Sequence, residues 1–230
     1  MGREIEKTAL ARGHRVIEKL DNPDDWVIKT SMLSQADVII EFSTPDSVLG
    51  NIRHCFDLHL PIVVGTTGWH DKKDLVREWC SAENQAILAA SNFSIGVNIL
   101  YHLTRQLSGL LDQFDNYNIS LEEIHHIHKL DSPSGTAINL AEIIMGNLKR
   151  KNKWVNRGQQ NPEELEIISV REDEVPGVHK ITCDSDSDKL VLIHEAKGRQ
   201  GLATGAILAA EWIQGRRGFY EMNDMLHLDG

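Results

Sequence analysis

The chain has 230 residues, a formal net charge of −10 and an isoelectric point near 5.5, a balance that argues against nucleic acid or an anionic membrane as its partner. No run approaches the ~18 apolar residues of a membrane span, and no charged-then-apolar leader precedes a small-residue cleavage site, so a cytoplasmic protein is expected. Cys55, Cys80 and Cys183 are odd in number, irregularly spaced and without a Cys-x-x-Cys pair, which indicates buried thiols rather than a disulfide framework or a zinc knuckle.

Residues 4–12 carry Ile5 and Ala9 on one face and stop at Gly13, the pattern of a helix, and residues 14–19 read as a short strand through Val16 and Ile17. Residues 38–42, 62–64 and 86–89 are compact apolar runs, as expected of parallel strands covered on both faces. With helical stretches over 47–58 and 71–83 between them, the βαβ order implies a doubly wound sheet. Ligands of such sheets bind beyond the carboxyl ends of the strands. The segments there are Ser43-Thr44-Pro45, Gly65-Thr66-Thr67-Gly68 and Ser91-Asn92-Phe93, hydroxyl- and glycine-rich turns that together make a candidate cofactor crevice.

Beyond them a longer helix is expected over 98–114, with Val97, Leu100, Thr104, Leu107, Leu111 and Phe114 on one stripe. Strands then dominate, over 119–124, 165–171, 178–184 and 189–194. Asp184-Ser185-Asp186-Ser187-Asp188 lacks the sixth-position Gly and closing Glu of a calcium loop and reads as a solvated hairpin turn. The basic cluster Arg150-Lys151-Asn152-Lys153 reads as a solvated helix end. Residues 156–164 read as an exposed loop and 203–214 as an apolar helix ended by Gly215.

The densest chemistry runs from Glu123 to Ala137, Glu-Ile-His-His-Ile-His-Lys-Leu-Asp-Ser-Pro-Ser-Gly-Thr-Ala. Ile119, Leu121 and Glu123 alternate with Ser120 and Glu122, the period of a half-buried strand, so the histidines fall at a strand end. Ala137, Leu140, Ala141, Ile144 and Leu148 repeat at helical spacing, so a helix opens at Ser134-Gly135-Thr136. Its first-turn N–H groups and the two hydroxyls suit a carboxylate or phosphate, and Gly135 lets the anion approach the backbone. His125 or His126 supplies an imidazole of the kind that titrates near neutral pH. Two other readings stay open on these residues alone: an ordinary N-cap at Ser134 or Thr136, and a metal-dependent hydrolase built on the histidines, which the charge of Lys129 opposes. No metal is expected.

The run His125-His126-Ile127-His128-Lys129-Leu130-Asp131-Ser132-Pro133-Ser134-Gly135-Thr136-Ala137 resembles the signature of the 4-hydroxy-tetrahydrodipicolinate (dihydrodipicolinate) reductase family of bacterial lysine biosynthesis. Further segments follow in the family's order: Met1-Gly2, Glu41-Phe42-Ser43-Thr44-Pro45, Gly65-Thr66-Thr67-Gly68, Asn92-Phe93-Ser94-Ile95-Gly96-Val97-Asn98, Gly177-Val178-His179, and His194-Glu195-Ala196 with Arg199 and Gly205-Ala206. The resemblance implies an α/β protein, with a Rossmann-like dinucleotide-binding domain over 1–96 and 206–230 and an α+β domain with a mixed sheet over 97–205 for substrate and tetramer contacts. It implies reduction of a cyclic dicarboxylate by NADH or NADPH. His125 would be the acid–base residue and Lys129 the proton donor or charge stabiliser. His126, Lys129, Ser134, Gly135 and Thr136 would hold the substrate carboxylates, with Arg199 a weaker candidate for an interdomain or substrate-side contact. Met1, Gly2, Asp21, Phe42, Thr44, Gly65, Thr66, Thr67, Ser91, Asn92 and Phe93 would face the cofactor.

The opening departs from the family. Met1-Gly2-Arg3 resembles only the end of a Gly-x-Gly-x-x-Gly turn, without its preceding strand. A shortened reductase with impaired cofactor binding is expected, its sheet left with two inner edges. The alternative is a remnant that assembles and binds dicarboxylate without turnover. Asp21, about twenty residues past Gly2, is placed to accept ribose hydroxyls, as in NAD-binding proteins, while Arg15 and Lys19 lie near enough in sequence to accept the phosphate of NADP.

Overall fold

The computed structural model describes residues 1–228. In chain order they form α1 (Gly2–Ala11), α2 (Asp25–Ile28), α3 (Thr30–Leu33), β1 (Ile39–Glu41), α4 (Val48–Asp57), β2 (Ile62–Val64), a 3₁₀ turn (His70–Lys72), α5 (Lys73–Ala82), β3 (Ala86–Ala89) and α6 (Ile95–Leu111). There follow β4 (Asn118–His125), α7 (Gly135–Asn147), β5 (Lys153–Asn156), β6 (Glu164–Arg171), β7 (Val178–Asp184), β8 (Lys189–Glu195), α8 (Gln200–Ile213), β9 (Gly218–Tyr220) and α9 (Met222–Leu226). The chain divides into two compact units, one of Met1–Ile95 with the segment from Gln200 onward, the other of Gly96–Arg199.

The first unit is built on a four-stranded parallel sheet of order β1-β2-β3-β9. Its central strands are apolar throughout because both faces are covered. Val63 and Leu88 join one cluster with Ile5 of α1 and Ala203, Ala206, Ala210 and Ile213 of α8. Ile62, Val64 and Ile87 point the other way, into a cluster with Val48, Ile52 and Phe56 of α4 and Val76 and Cys80 of α5. A Cβ at Gly205 would lie 1.7 Å from the carbonyl oxygen of Phe93, so the approach of α8 to that backbone requires glycine. The four strands pair continuously, so the expected inner edges are not found among the described strands. Residues 14–19 are not a strand either. They form no ladder, and Val16 instead packs partly buried on the first cluster. The short elements α2, α3, β9 and α9 escaped the periodicity reading, since three to five residues are too few to show a period.

The second unit is built on a five-stranded mixed sheet of order β5-β6-β4-β7-β8. The central strand β4 runs parallel to β6 and antiparallel to β7. The Asp184–Asp188 string is the turn between β7 and β8, as expected. On one face Ile119, Leu121, Leu165, Ile167, Ile181 and Cys183 pack against Ala137, Leu140, Ala141, Ile144 and Leu148 from α7 and its end. The basic cluster behaves differently from the solvated helix end expected of it. Lys151 is 3 % exposed, just before β5, and its ammonium donates to the carbonyls of Pro162 (2.8 Å) and Glu164 (2.7 Å) and to Asn118 Oδ1 (3.3 Å). Those acceptors close the 156–164 loop over it, and burial lowers its pKa. All three cysteines are free and buried, and burial pushes their thiols up, Cys183 to about 11. No helix among the described residues is long and apolar enough to cross a membrane.

Candidate active site

The period of a strand builds the site. Alternate residues of β4 share one face, so the buried series Ile119, Leu121 continues as Glu123 and His125 under the start of α7. Register supplies the neighbours: Leu121 lies between Ile167 and Ile181, an apolar row. Two residues on, Glu123 lies between Ser169 and His179, and His194 extends that row on β8. His125 pairs with Arg171 on β6. The hydrophobic face therefore gives way to a buried polar one at the carboxyl end of β4.

Glu123 is 0 % exposed. Its Oε1 accepts the Ser134 N–H at 3.0 Å and an Arg171 Nη2 hydrogen at 3.2 Å. Its Oε2 faces His125 Nδ1 at 3.2 Å and His179 Nε2 at 4.0 Å. Burial opposes its ionisation, but the donors from His125 and Ser134 outweigh that and hold the carboxyl far below the usual carboxylate range. His179 is driven the other way: burial, reinforced by the neighbouring His125, pushes its pKa down to about 4. Burial also lowers His194. The arrangement is thus a fixed anion with a neutral imidazole on one side and His125 on the other.

Lys129 follows in the loop after β4, its Nζ 2.8 and 2.9 Å from the two oxygens of Asp131, whose carboxyl it lowers against the effect of burial. His126 is half-buried, its Nδ1 buried and unpartnered among the described residues, whereas His128 points outward to Glu174 at 3.1 Å. Ser134 is the N-cap of α7: its Oγ accepts the Ala137 N–H at 3.2 Å and lies 3.3 Å from His179 Nε2. With its own N–H on Glu123 and 2 % exposure, Ser134 is tied into the surround of that carboxylate. Gly135 is exposed with open space above its backbone, and Thr136 is half-buried. Arg199, exposed, is the last residue of this unit. One ligand atom each from Glu123, His125 and His179 lie within 4.8 Å of one another. A divalent ion there would compete with the Arg171 guanidinium already on the carboxylate.

In the first unit the three expected turns all follow the carboxyl ends of parallel strands. Phe42 and Phe93 meet with ring centroids 5.7 Å apart. A Cβ at Gly65 would fall 2.2 Å from the Phe42 ring, so Gly65 admits that ring. Thr66 is buried, its Oγ1 accepting the Ser43 N–H at 2.7 Å and its carbonyl accepting the Trp69 indole N–H at 2.8 Å. Thr44 and Thr67 are exposed, and the Thr44 Oγ1 lies 3.0 Å from Ser47 Oγ. Ser91 is exposed, and Asn92 Oδ1 accepts the Ser94 N–H at 2.8 Å. Met1 packs on the cluster that holds Phe42 and Phe93, and Gly2 opens α1. Asp21 is exposed, its N–H bound by Asp25 Oδ2 at 2.8 Å.

Sequence reasoning assigned no role to Arg171, Ser169 or Asp25, and read Glu41, Glu123 and His179 only as members of motifs. Nothing local marks Arg171, which reaches His125 only through strand register. For Glu123 a signal existed: it occupies the inward phase of β4 after Ile119 and Leu121, where a carboxylate needs a buried partner.

The family model described as "Dihydrodipicolinate reductase, N-terminus" matches residues 1–93, and "Dihydrodipicolinate reductase, C-terminus" matches residues 96–226. The chain belongs to the dihydrodipicolinate reductase family. Within it, the chain is 42% identical over 226 residues to the 4-hydroxy-tetrahydrodipicolinate reductase of Christiangramia forsetii, covering 98% of this chain and 93% of that one. The enzyme of the same name from Neisseria gonorrhoeae is 34% identical over 207 residues, 86% and 76% of the two chains. A dipicolinate-bound dihydrodipicolinate reductase from Paenisporosarcina sp. TG-14 shares the fold, with a TM-score of 0.76 at 19% identity over 96% and 92% of the chains.

Proposed function

We infer that this member of the family reduces 4-hydroxy-tetrahydrodipicolinate to tetrahydrodipicolinate with NADH or NADPH, in the diaminopimelate route to lysine in the cytoplasm. The observation that carries the reading is the ionised, buried Glu123 beside His125, next to the open Gly135 backbone at the start of α7. A proton-exchanging imidazole and an anion seat ten residues on suit a small dicarboxylate. His125 exchanges the proton that accompanies hydride arrival, and Lys129 offsets developing negative charge. His126, Lys129, Gly135 and Thr136 receive the carboxylates, while Ser134 holds the helix start in place.

The first unit suits a dinucleotide. The Phe42–Phe93 pair and the turns bearing Thr44, Gly65, Thr66, Thr67, Ser91 and Asn92 gather at one sheet rim, with Met1 on the adjoining core, Gly2 at the start of α1 and Asp21 exposed. Bound there, NADH or NADPH would supply the hydride. The exposed Leu190, Val191 and Ile193 of β8 support assembly through the second unit's sheet into a homotetramer, which light scattering after gel filtration would measure.

The deciding experiment follows oxidation of NADH and of NADPH by the purified chain with and without 4-hydroxy-tetrahydrodipicolinate, alongside calorimetric titration with dipicolinate. Substrate-dependent oxidation is expected. Dipicolinate binding without oxidation would overturn the reductase reading in favour of a non-catalytic dicarboxylate-binding protein.

A further inference from the structure

We propose that Glu123, anchored by Arg171, is the positioning residue for His125: it takes the Nδ1–H hydrogen bond and leaves Nε2 as the nitrogen that exchanges a proton with the substrate. This rests on the assignment of His125 as the acid–base group above.

Several independent features converge on that arrangement. Glu123 Oε2 and His125 Nδ1 are buried, 3.2 Å apart, and neither has a well-directed hydrogen bond of its own. Two buried polar atoms so placed are costly unless they satisfy each other, and an ionised carboxylate can only accept, so the imidazole must present N–H on that side. The other oxygen cannot turn to compete, because Oε1 is occupied by the Ser134 N–H and the Arg171 guanidinium. His179, whose Nε2 is 4.0 Å from Oε2 and whose pKa burial lowers to about 4, stays neutral and does not draw the carboxylate away as a cation would.

Arg171 has a second task. Besides Glu123 Oε1, its guanidinium donates to the carbonyls of Lys129 (3.3 Å) and Asp131. One side chain thereby joins the carboxylate behind His125 to the loop that carries Lys129, so the two reactive groups share a support. Gly177 completes the enclosure from β7's side. A Cβ there would lie 3.1 Å from His125 Nε2 and 3.2 Å from Cδ2, and the residue's φ of +153° is one that side-chain-bearing residues rarely adopt. The chain thus keeps the Nε2 side of the ring uncrowded while Nδ1 is held from behind.

The competing role is purely structural: Glu123 would serve only to neutralise Arg171 in the sheet. The two roles differ at Glu123→Gln. With the Gln carbonyl taken by Arg171 and the Ser134 N–H, its amide NH₂ would face His125 Nδ1 and favour the opposite imidazole tautomer, the logic by which an Asp-to-Asn change disables a serine-protease triad. Long-range ¹H–¹⁵N spectra of the full chain, with His125 assigned by its disappearance in His125→Gln, read the tautomer without any turnover. The wild type is expected to show Nδ1–H, and Glu123→Gln to show Nε2–H. The same variant should lose roughly 10- to 100-fold in kcat with KM for the dicarboxylate nearly unchanged, and Glu123→Asp should restore part of that loss. An Nε2–H tautomer in the wild type overturns the proposal, as does a Glu123→Gln enzyme with wild-type kcat. If Glu123→Gln does not fold, the wild-type tautomer alone decides. A wild type with the Nδ1–H tautomer but no reductase activity would instead sink the proposed function and leave the orientation of His125 standing.

Discussion

Each unit buries a glutamate near the carboxyl end of a strand, and the two are held by different chemistry. Glu41 ends β1, 5 % exposed, with Oε1 receiving the Ser43 N–H (3.1 Å), the Ser43 hydroxyl and the Asn51 amide (3.2 Å). These donors are neutral, and Oε2 is unpartnered among the described residues. Glu123 is surrounded by a guanidinium, two imidazoles and a helix-start N–H. Neutral donors pin a turn in place and respond to nothing. Titratable partners make the carboxylate part of a proton-handling unit. The first arrangement organises the Ser43-Thr44-Pro45 turn that leads into α4; the second is the one on which the proposed chemistry rests.

The largest effect that would sharpen this contrast is at the proposed acid, His125. His125→Gln should lower kcat by about 10²- to 10⁴-fold in a steady-state NAD(P)H oxidation assay, the range for losing a general acid. A fall of less than about fivefold would remove the second region's claim to chemistry.

Next comes pH. His179 has a folded pKa near 4 against 6.5 for the unfolded chain, so between those values the unfolded state binds more protons. Stability is fully present above pH 6.5 and should fall by about 3 kcal/mol on acidification to pH 4, as measured by urea denaturation. His179→Phe should flatten that slope. Glu123 adds to the loss only at the acid end of this window: its folded carboxyl stays ionised, but from about pH 5 downward the unfolded chain takes up a proton there, so its stabilisation is lost progressively as the pH falls further.

Gly177→Ala ranks third. A strained φ and a Cβ against His125 Nε2 should cost about 1–3 kcal/mol in thermal unfolding and lower kcat with it. Unchanged values would mean that the backbone relaxes freely there. The smallest effect is expected at Glu41→Gln, about 1 kcal/mol or less in the same unfolding assay, since an amide oxygen can accept from the same neutral donors. A loss as large as that of a Glu123 variant would break the contrast between the two regions.

Much of this was legible in the chain. The apolar runs at 38–42, 62–64 and 86–89 announced a covered parallel sheet, and the Ala137 to Leu148 period announced α7, because burial on both faces or on one stripe writes itself directly into residue order. The helix opening at Ser134 was legible for the same reason. Its use was only half so, since a capping residue and a ligand-holding residue carry the same side chain. Ser134 turned its N–H toward Glu123 and its Oγ toward Ala137 and His179. Lys151 was misread as solvated because its acceptors are carbonyls of a loop about a dozen residues away, and backbone acceptors leave no mark in sequence.

By itself the sequence determined the two kinds of sheet and the family, since both follow from periodicity and local motif, and it singled out the segment proposed for the chemistry. Only the tertiary structure decided which groups act together. Strand register set Glu123 between Ser169 and His179 and His125 beside Arg171, bringing together residues almost fifty to sixty positions apart. Register depends on how strands from distant segments dock, and no residue announces its cross-strand neighbour.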